Sequence, residues 1–500
     1  MRNSRLAASV ALGVLAFVGS LGITSGAGPG LDPDSMSYMQ AATSFVHGHG
    51  LRDVDRDWTS VDSTMPLSHW PPGFPLALAG AERLGIDAVQ GARAVNAISA
   101  FVTIAGITWL VGGTAGIAAG LIAGLLVMVT PAVVQVHENV LSEPLFIALL
   151  VLTLMTMARA RERPLVSGTV AGLASIVRYA GLALVGGVAL WQLARAGTIR
   201  ERVVRALTAS LPAIVLQGLW VTRTVRKAGP SSIRELSFYG ELGPTLREGW
   251  HTVSAWLVPE MREGWSVFAA IFVAMLLVAT MWKARPLRSE QAPAFAALLL
   301  AACYVALLLV SRLVADLTIP LDYRLMAPLF LLLEVAVVMI VAPAWRGWPI
   351  PAKVLAVVLG TLWWGSALLA SRESARYAVQ TGNDLADICW RHSPLLAWVR
   401  DNGSGHPLYT NVPEALFFQA NRLSHELPEE RGAPAAAAFA DTLVRRNALI
   451  VEFDGTCMDV DNPDSLLARM PVHEVVTMPT GRVLSPLEPL AIDTFRVRRP

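Results

Sequence analysis

Over its first 370 residues the chain alternates long apolar runs with short polar joints, and after that the pattern stops. A membrane span needs roughly 20 mostly apolar residues. By that measure the runs predict eleven helices, at about 6–26, 88–111, 115–132, 144–160, 164–178, 180–194, 206–223, 264–282, 292–310, 327–343 and 353–370. Pro131 and Pro144 fall near helix ends, where a missing N–H costs least. The stretch "GGTAGIAAGLIAGLL" sets Gly112, Gly116, Gly120 and Gly124 four apart, a small-residue stripe suited to close helix packing rather than chemistry. Met1–Arg5 is basic and Leu6–Thr24 apolar, as in a cleaved signal peptide. No convincing small-x-small cleavage site follows, so a retained first helix is expected.

The tail, about 371–500, has shorter apolar runs and regains Pro, Asp, Glu and Asn. "SPLLAWVRDN", "PEALFFQAN" and "APAAAAFADTLVRR" read as helices. "HPLYTNV", "NALIVEFD" and "AIDTFRVRR" read as strands, the second of them buried. Helix and strand alternate, so the expected fold is a multi-pass α-helical membrane domain, residues 1–370, followed by a small α/β domain, 371–500. The tail contains no Gly-rich phosphate loop.

Composition fits that picture. The chain is 54% hydrophobic and 16% charged, against about 25% charged in an ordinary soluble domain. Its net charge of +2 gives no reason to expect a nucleic-acid partner. Lysine and arginine set the orientation. With the N-terminus in the cytoplasm, the inner joints hold Arg159, Arg161 and Arg163, then Arg195, Arg200, Arg202 and Arg205, then Lys283, Arg285 and Arg288, then Arg346 and Lys353. Eleven spans then leave the tail extracytoplasmic. That side is oxidising, so Cys389 and Cys457 are expected to form a disulfide, the alternative being two unpaired thiols. Cys303, inside a span, is expected to be a free buried thiol.

The first outer segment, about Gly26–Ile86, is far longer than a connector needs. The run "DPDSMSYMQAATSFVHGHGL … HWPPGFPLALAG" resembles the first outer loop of the GT-C glycosyltransferases, multi-span enzymes that include protein O-mannosyltransferases and lipid A aminoarabinose transferases. "HENVLSEPLFIAL", "ASIVRYAGLAL" and "LDYRLMAPLF" are also similar to that family. The resemblance covers roughly residues 6–370. Two positions depart from the family pattern. Asp34 is followed by Ser35 where a second acid is frequent, and Trp70 stands before the Pro-Pro turn, with His69 one residue earlier.

The resemblance implies a polyprenyl-phosphate sugar donor and a glycan, lipid or protein acceptor on the extracytoplasmic face, and the Ala- and Arg-rich usage suggests a bacterial plasma membrane. Transfer needs a carboxylate base for the acceptor hydroxyl and cations for the leaving phosphate. Asp34 is the candidate base and Asp32 the alternate, although Asp is also a favoured helix N-cap. Arg324 and Arg178 are the candidate phosphate clamp, with His69 as a third contact, since a guanidinium suits bidentate phosphate binding. Arg324 can instead pair locally with Asp322. Glu143, with Glu138 as the lesser choice, would orient the acceptor or hold a metal, or be a solvated rim acid. Cofactors are left open, a divalent metal ion being one candidate. Asp53, Asp55 and Asp57 are expected to be a solvated acidic run. The rival reading is a non-enzymatic transporter or flippase of a lipid-linked substrate, which would more naturally carry inverted repeats and broken helices at the midplane.

Overall fold

The structure, a computed structural model, describes residues 2–159, 163–230, 237–257, 292–316, 319–460 and 463–487. They form two compact units. One holds the chain up to Gly26 with Ser68–Gln380, and the other holds Ala27–Leu67 with the tail from Thr381.

Among the described residues the first unit is all helical. Ten of the eleven expected spans are helices, and the eighth, with Lys283, Arg285 and Arg288, lies outside the described residues. The count of eleven membrane crossings is not confirmed by the described residues. Six helices are long and apolar enough to cross, or seven if the bent pair Ile117–Met128 and Pro131–Glu138 is one span. The expected fourth, fifth and sixth spans are short apolar helices, Glu143–Met157, Pro164–Val177 and Leu182–Ala194. At 1.5 Å per residue none reaches the roughly 30 Å of a hydrocarbon core. Of the three, Glu143–Met157 is the one packed inside the protein. Eleven of the fifteen residues in Glu143–Met157 are buried, so protein encloses this helix on nearly every side. By contrast, Ile350–Gln380 exposes Val354, Leu355, Val358 and Leu362, and Ile199–Ala228 exposes Leu207, Leu211, Ile214 and Leu219. Such apolar faces are suited to lipid. The protein is an integral membrane protein.

The four glycines do not form a stripe on one helix: Gly112 lies in Ala88–Thr114, Gly116 at the break (φ 100°), and Gly120 and Gly124 in Ile117–Met128. A Cβ on Gly120 would stand 2.5 Å from the Thr108 carbonyl oxygen, so helices Ala88–Thr114 and Ile117–Met128 approach closely because that position lacks a side chain. Cys303 is free but only half-buried. The buried face of its helix runs through Ala296, Leu300, Ala301, Tyr304 and Leu308, and Cys303 lies at the edge of that face.

The second unit is α/β. Its five-stranded sheet has the order β4-β3-β5-β7-β6, with β3 Leu408–Thr410, β4 His425–Glu426, β5 Leu449–Phe453, β6 Val472–Met478 and β7 Gly481–Pro486. β3 is parallel to β4 and β5, and the β6–β7 hairpin adds antiparallel to β5. Helices Pro394–Asn402, Pro413–Ala420 and Ala433–Arg446 match the sequence expectation, and β5 is buried along its length. "AIDTFRVRR" lies outside the described residues. Cys389 and Cys457 are joined by a disulfide with Cα atoms 5.5 Å apart. The two are 68 residues apart in sequence, and closing a loop of that length is worth about 4 kcal/mol in the chain-entropy model.

The first outer segment was grouped with the membrane helices on sequence. Its residues Ala27–Leu67 pack instead with the tail, and from Ser68 onward it stays with the membrane helices. It supplies helix Pro33–Val46 and a two-stranded ribbon, β1 Arg52–Val54 with β2 Thr64–Pro66. Leu385 N–H donates to the Leu31 carbonyl (3.1 Å) and Glu426 N–H to the Arg56 carbonyl (2.8 Å). Arg446 donates to the carbonyls of Thr59 (2.8 Å) and Ser60. Trp58 packs edge-on against Phe439 in the tail core.

His425 on β4 is buried beside Tyr409 and bonds to the backbone of Asp55. Burial pushes its imidazole below the ordinary value, and the Asp55 backbone and charge only partly oppose this. The unfolded chain therefore binds that proton more tightly than the folded one. The stability His425 contributes is complete above pH of about 6.5 and is lost as pH falls below it. Denaturant melts of the second unit should weaken between pH of about 7 and about 5, and weaken less in His425→Gln. An equal weakening in both proteins would remove His425 as the cause.

Candidate functional site

Charged candidate side chains form one cluster within each unit. In the helical unit the centre is Glu143, the first residue of its helix, where a carboxylate complements the helix dipole. Its side chain is 1% exposed. Arg178 Nη1 lies 2.7 Å from Oε2, and Arg324 Nε bonds to Oε1. Both carboxylate oxygens thus face guanidinium groups.

Local backbone structure explains each placement. Helix Pro164–Val177 ends where Arg178 turns extended (φ −146°, ψ 139°), ahead of a short 3-10 turn at Tyr179–Gly181. That break puts a cation at a helix C-terminus, where the dipole favours it. Arg324 sits in the first turn of Tyr323–Ala344, whose N-cap is Asp322, accepting from Leu325 N–H at 2.9 Å. Asp322 is therefore occupied as a cap, and the arginine reaches across to Glu143. Arg178 also donates to Ser142 Oγ (2.9 Å). Tyr304 is fully buried, stacks on Phe146 and donates to the Leu325 carbonyl (2.8 Å), which fixes the turn that carries Arg324.

Glu143 is thus neither a solvated rim acid nor an open ligand. With both oxygens engaged by arginine it does not suit the acceptor or metal role expected of it. Glu138 is buried and accepts from Ser374 Oγ (2.9 Å), and the neighbouring His137 is buried and bonds the Val133 carbonyl (2.7 Å). His69 is exposed, edge-on to Trp70. Among the described residues no group of three or more His, Cys, Asp and Glu is placed to hold a metal ion.

In the second unit Asp32 is the N-cap of Pro33–Val46. Its Oδ1 accepts from Asp34 N–H (3.0 Å), and its own N–H donates to Ser35 Oγ (3.0 Å), closing a capping box. Asp34 is half-buried in the first helical turn. So Asp32 does the capping, and Asp34 is the aspartate whose side chain the cap does not use. The serine that replaced a second acid in the family pattern is the reciprocal half of that cap.

Asp53 is a correction. It is 6% exposed rather than part of a solvated run, because β1 turns it inward while Asp57 stays exposed. It accepts from Ser37, one turn along the helix from Asp34, and from Val54 N–H (2.8 Å). Burial pushes its carboxyl above the ordinary value, while the bonds from Ser37 and Val54 and the charge of Arg56 oppose that rise. Arg56 Nη1 in turn lies 2.7 Å from Glu414 and 3.0 Å from Glu426. Burial acts to lower the Arg56 guanidinium, but the charges of Glu414 and Glu426 outweigh it and leave it raised. Sequence reading missed Asp53, Arg56, Ser142 and Tyr304. The single tyrosine in "AACYVALLL" was the one available signal for Tyr304.

No family description and no curated protein matches the chain by sequence. Solved structures do. Over 95% of its length the chain matches 97% of ArnT from Cupriavidus metallidurans, crystallised bound to undecaprenyl phosphate, at TM-score 0.56 and 14% identity. Over 89% it matches 69% of the archaeal oligosaccharyltransferase AglB from Archaeoglobus fulgidus, in complex with an inhibitory peptide and a dolichol-phosphate, at 0.55 and 11%. Over 97% it matches 40% of the arabinofuranosyltransferase AftD from Mycobacteria, at 0.55 and 16%. The chain has the GT-C fold. At these identities the fold is what is shared. It extends beyond the roughly 370 residues that carried the sequence resemblance and takes in the tail.

Within the GT-C fold the arginine cluster yields a stability prediction. Glu143→Gln leaves two enclosed guanidiniums without their carboxylate and should destabilise the helical unit by about 3 kcal/mol. Arg324→Gln leaves Glu143 paired with Arg178, and Arg324 is the more exposed of the two arginines at 25% against 12%. It should cost about 1 kcal/mol. Unfolding of the detergent-solubilised variants checks the order, and the reverse order would count against Glu143 as the centre of the cluster.

Proposed function

We propose that the protein is a membrane glycosyltransferase. It transfers one hexosyl or pentosyl unit, with inversion, from a polyprenyl-phosphate donor to a glycan, lipid or protein acceptor. Reaction takes place on the extracytoplasmic face of a bacterial plasma membrane, with the N-terminus cytoplasmic. The observation that carries this reading is the pair Arg178 and Arg324 held by one buried carboxylate on a GT-C fold. The fold is shared with ArnT, whose structure holds undecaprenyl phosphate, and with AglB, whose structure holds a dolichol-phosphate. A transporter or flippase is not favoured by these likenesses.

In this reading Asp34 takes the proton from the acceptor hydroxyl as its oxygen bonds to the anomeric carbon. The bond from that carbon to the phosphate oxygen breaks, and its electron pair leaves with the polyprenyl phosphate. Arg324 and Arg178 stabilise the phosphate as it gains charge, and their cluster keeps one net positive charge for that purpose, two guanidiniums against Glu143. Arginine rather than lysine suits this site, since its planar fork meets two phosphate oxygens at once.

Asp34→Asn should leave the protein inserted and folded while lowering transfer from a polyprenyl-phosphate sugar by about 10²–10⁴-fold, the usual worth of a general base. Arg324→Lys keeps the charge but loses the fork, and should weaken transfer as well. Radiolabelled sugar transfer in vesicles is the measurement. Near-normal turnover by Asp34→Asn would remove it as the base.

A further inference from the structure

Residues 27–67 and the tail are one folded body, and a chain of charged contacts runs through it. Glu414 and Glu426, on helix Pro413–Ala420 and strand β4, grip Arg56. Arg56 lies in the loop that leaves β1 and acts electrostatically on Asp53. Asp53 accepts from Ser37, and Ser37 lies one turn beyond Asp34 on helix Pro33–Val46. Ser37 and Asp53 are both buried. Asp53 also feels the charge of Asp34 itself.

Such an arrangement needs a reason. A buried carboxylate is costly unless paired and hydrogen-bonded. Here the cation that acts on Asp53, Arg56, is already paired with Glu414 and Glu426. A role in folding alone would be met more cheaply by an apolar residue at the same position. What a carboxylate supplies and an apolar residue does not is a directional acceptor for Ser37, which fixes the rotation of that helix about its own axis.

We propose that Asp53 is a positioning residue. It holds the helix that carries Asp34 in the rotation needed for transfer, and the tail sets Asp53 through Arg56, Glu414 and Glu426. The tail is then part of the transfer machinery rather than an appendage. This rests on the reading of Asp34 as the base.

The test uses the full-length protein in lipid nanodiscs, with hydrogen exchange and transfer kinetics measured on the same samples. Asp53→Asn should raise amide exchange in the helix Pro33–Val46 by about tenfold, the worth of a hydrogen bond to a charged group. The amides of Leu449–Phe453 should stay within about twofold. Ser37→Ala, a milder change, should have the same local effect. In both variants kcat should fall by about tenfold with the KM for the polyprenyl-phosphate sugar unchanged, because the donor's binding groups are untouched. Arg56→Lys should reproduce part of the loss, and in the Asp53→Asn background it should add nothing, since it acts through Asp53.

Unchanged exchange in the helix, or a rise spread equally through the tail, would overturn the proposal. So would effects of Arg56→Lys and Asp53→Asn that simply multiply. If the wild-type protein transfers no sugar from any polyprenyl-phosphate donor, the functional reading fails, and the exchange arm alone decides whether Asp53 holds the helix.

Discussion

A charge withdrawn from water must be answered by another charge, and that constraint organises both units. In the helical unit Glu143 is enclosed almost completely and answered by two arginines from helices distant in sequence. Each of the three would be costly alone, and together they hold a net positive centre. In the second unit the same rule ties Arg56 to Glu414 and Glu426. Such pairs add little net stability compared with well-packed apolar residues. Their value lies in geometry, since a broken pair is far more costly than a made one, and each therefore fixes the elements that carry it.

The constraint also explains how the tail is joined to a segment more than 300 residues before it. Carbonyls of Leu31, Arg56, Thr59 and Ser60 are taken by backbone or arginine donors of the tail, and Trp58 fills a place in its core. A segment of some forty residues with one helix and a two-stranded ribbon has too little core to fold alone. It folds because the sheet of the tail supplies the missing apolar and hydrogen-bonding partners. The disulfide Cys389–Cys457 secures the start of that tail to the loop after β5.

Much of the fold was legible because period and length carry it. The apolar runs marked the helices, and the buried run of β5 marked a central strand. Length misled where apolar runs were short. Glu143–Met157 reads as a span by composition but is a helix enclosed by protein, and periodicity cannot tell lipid neighbours from protein neighbours. The candidate site was legible residue by residue but not pair by pair. Arg178, Arg324 and Glu143 each stood out as a charge beside apolar sequence, yet nothing in the chain shows that the two cations share one acid. Asp53 and Arg56 were hidden inside "DVDRDW", whose acidity resembles a solvated loop, and only the packing of the ribbon buries Asp53 together with Val54. Sequence ranked Asp34 above Asp32 as the candidate base, and capping geometry assigns the cap to Asp32.

The asymmetry of the arginine cluster bears on the proposed chemistry. A polyprenyl-phosphate sugar is a phosphodiester with one negative charge. When the sugar leaves, the phosphate becomes a monoester with a second ionisation near neutral pH, so its charge at pH 7 approaches −2. A centre that favours the product phosphate over the donor phosphate stabilises charge as it develops, and only such differential binding raises the rate. Two free guanidiniums would bind both forms strongly and spend part of their attraction on the ground state. Glu143 tempers that attraction and holds both forks at fixed positions, leaving one net positive charge. In the proposed reading, the carboxylate that at first looks wasteful beside the two arginines is what keeps them from holding the donor too tightly to react.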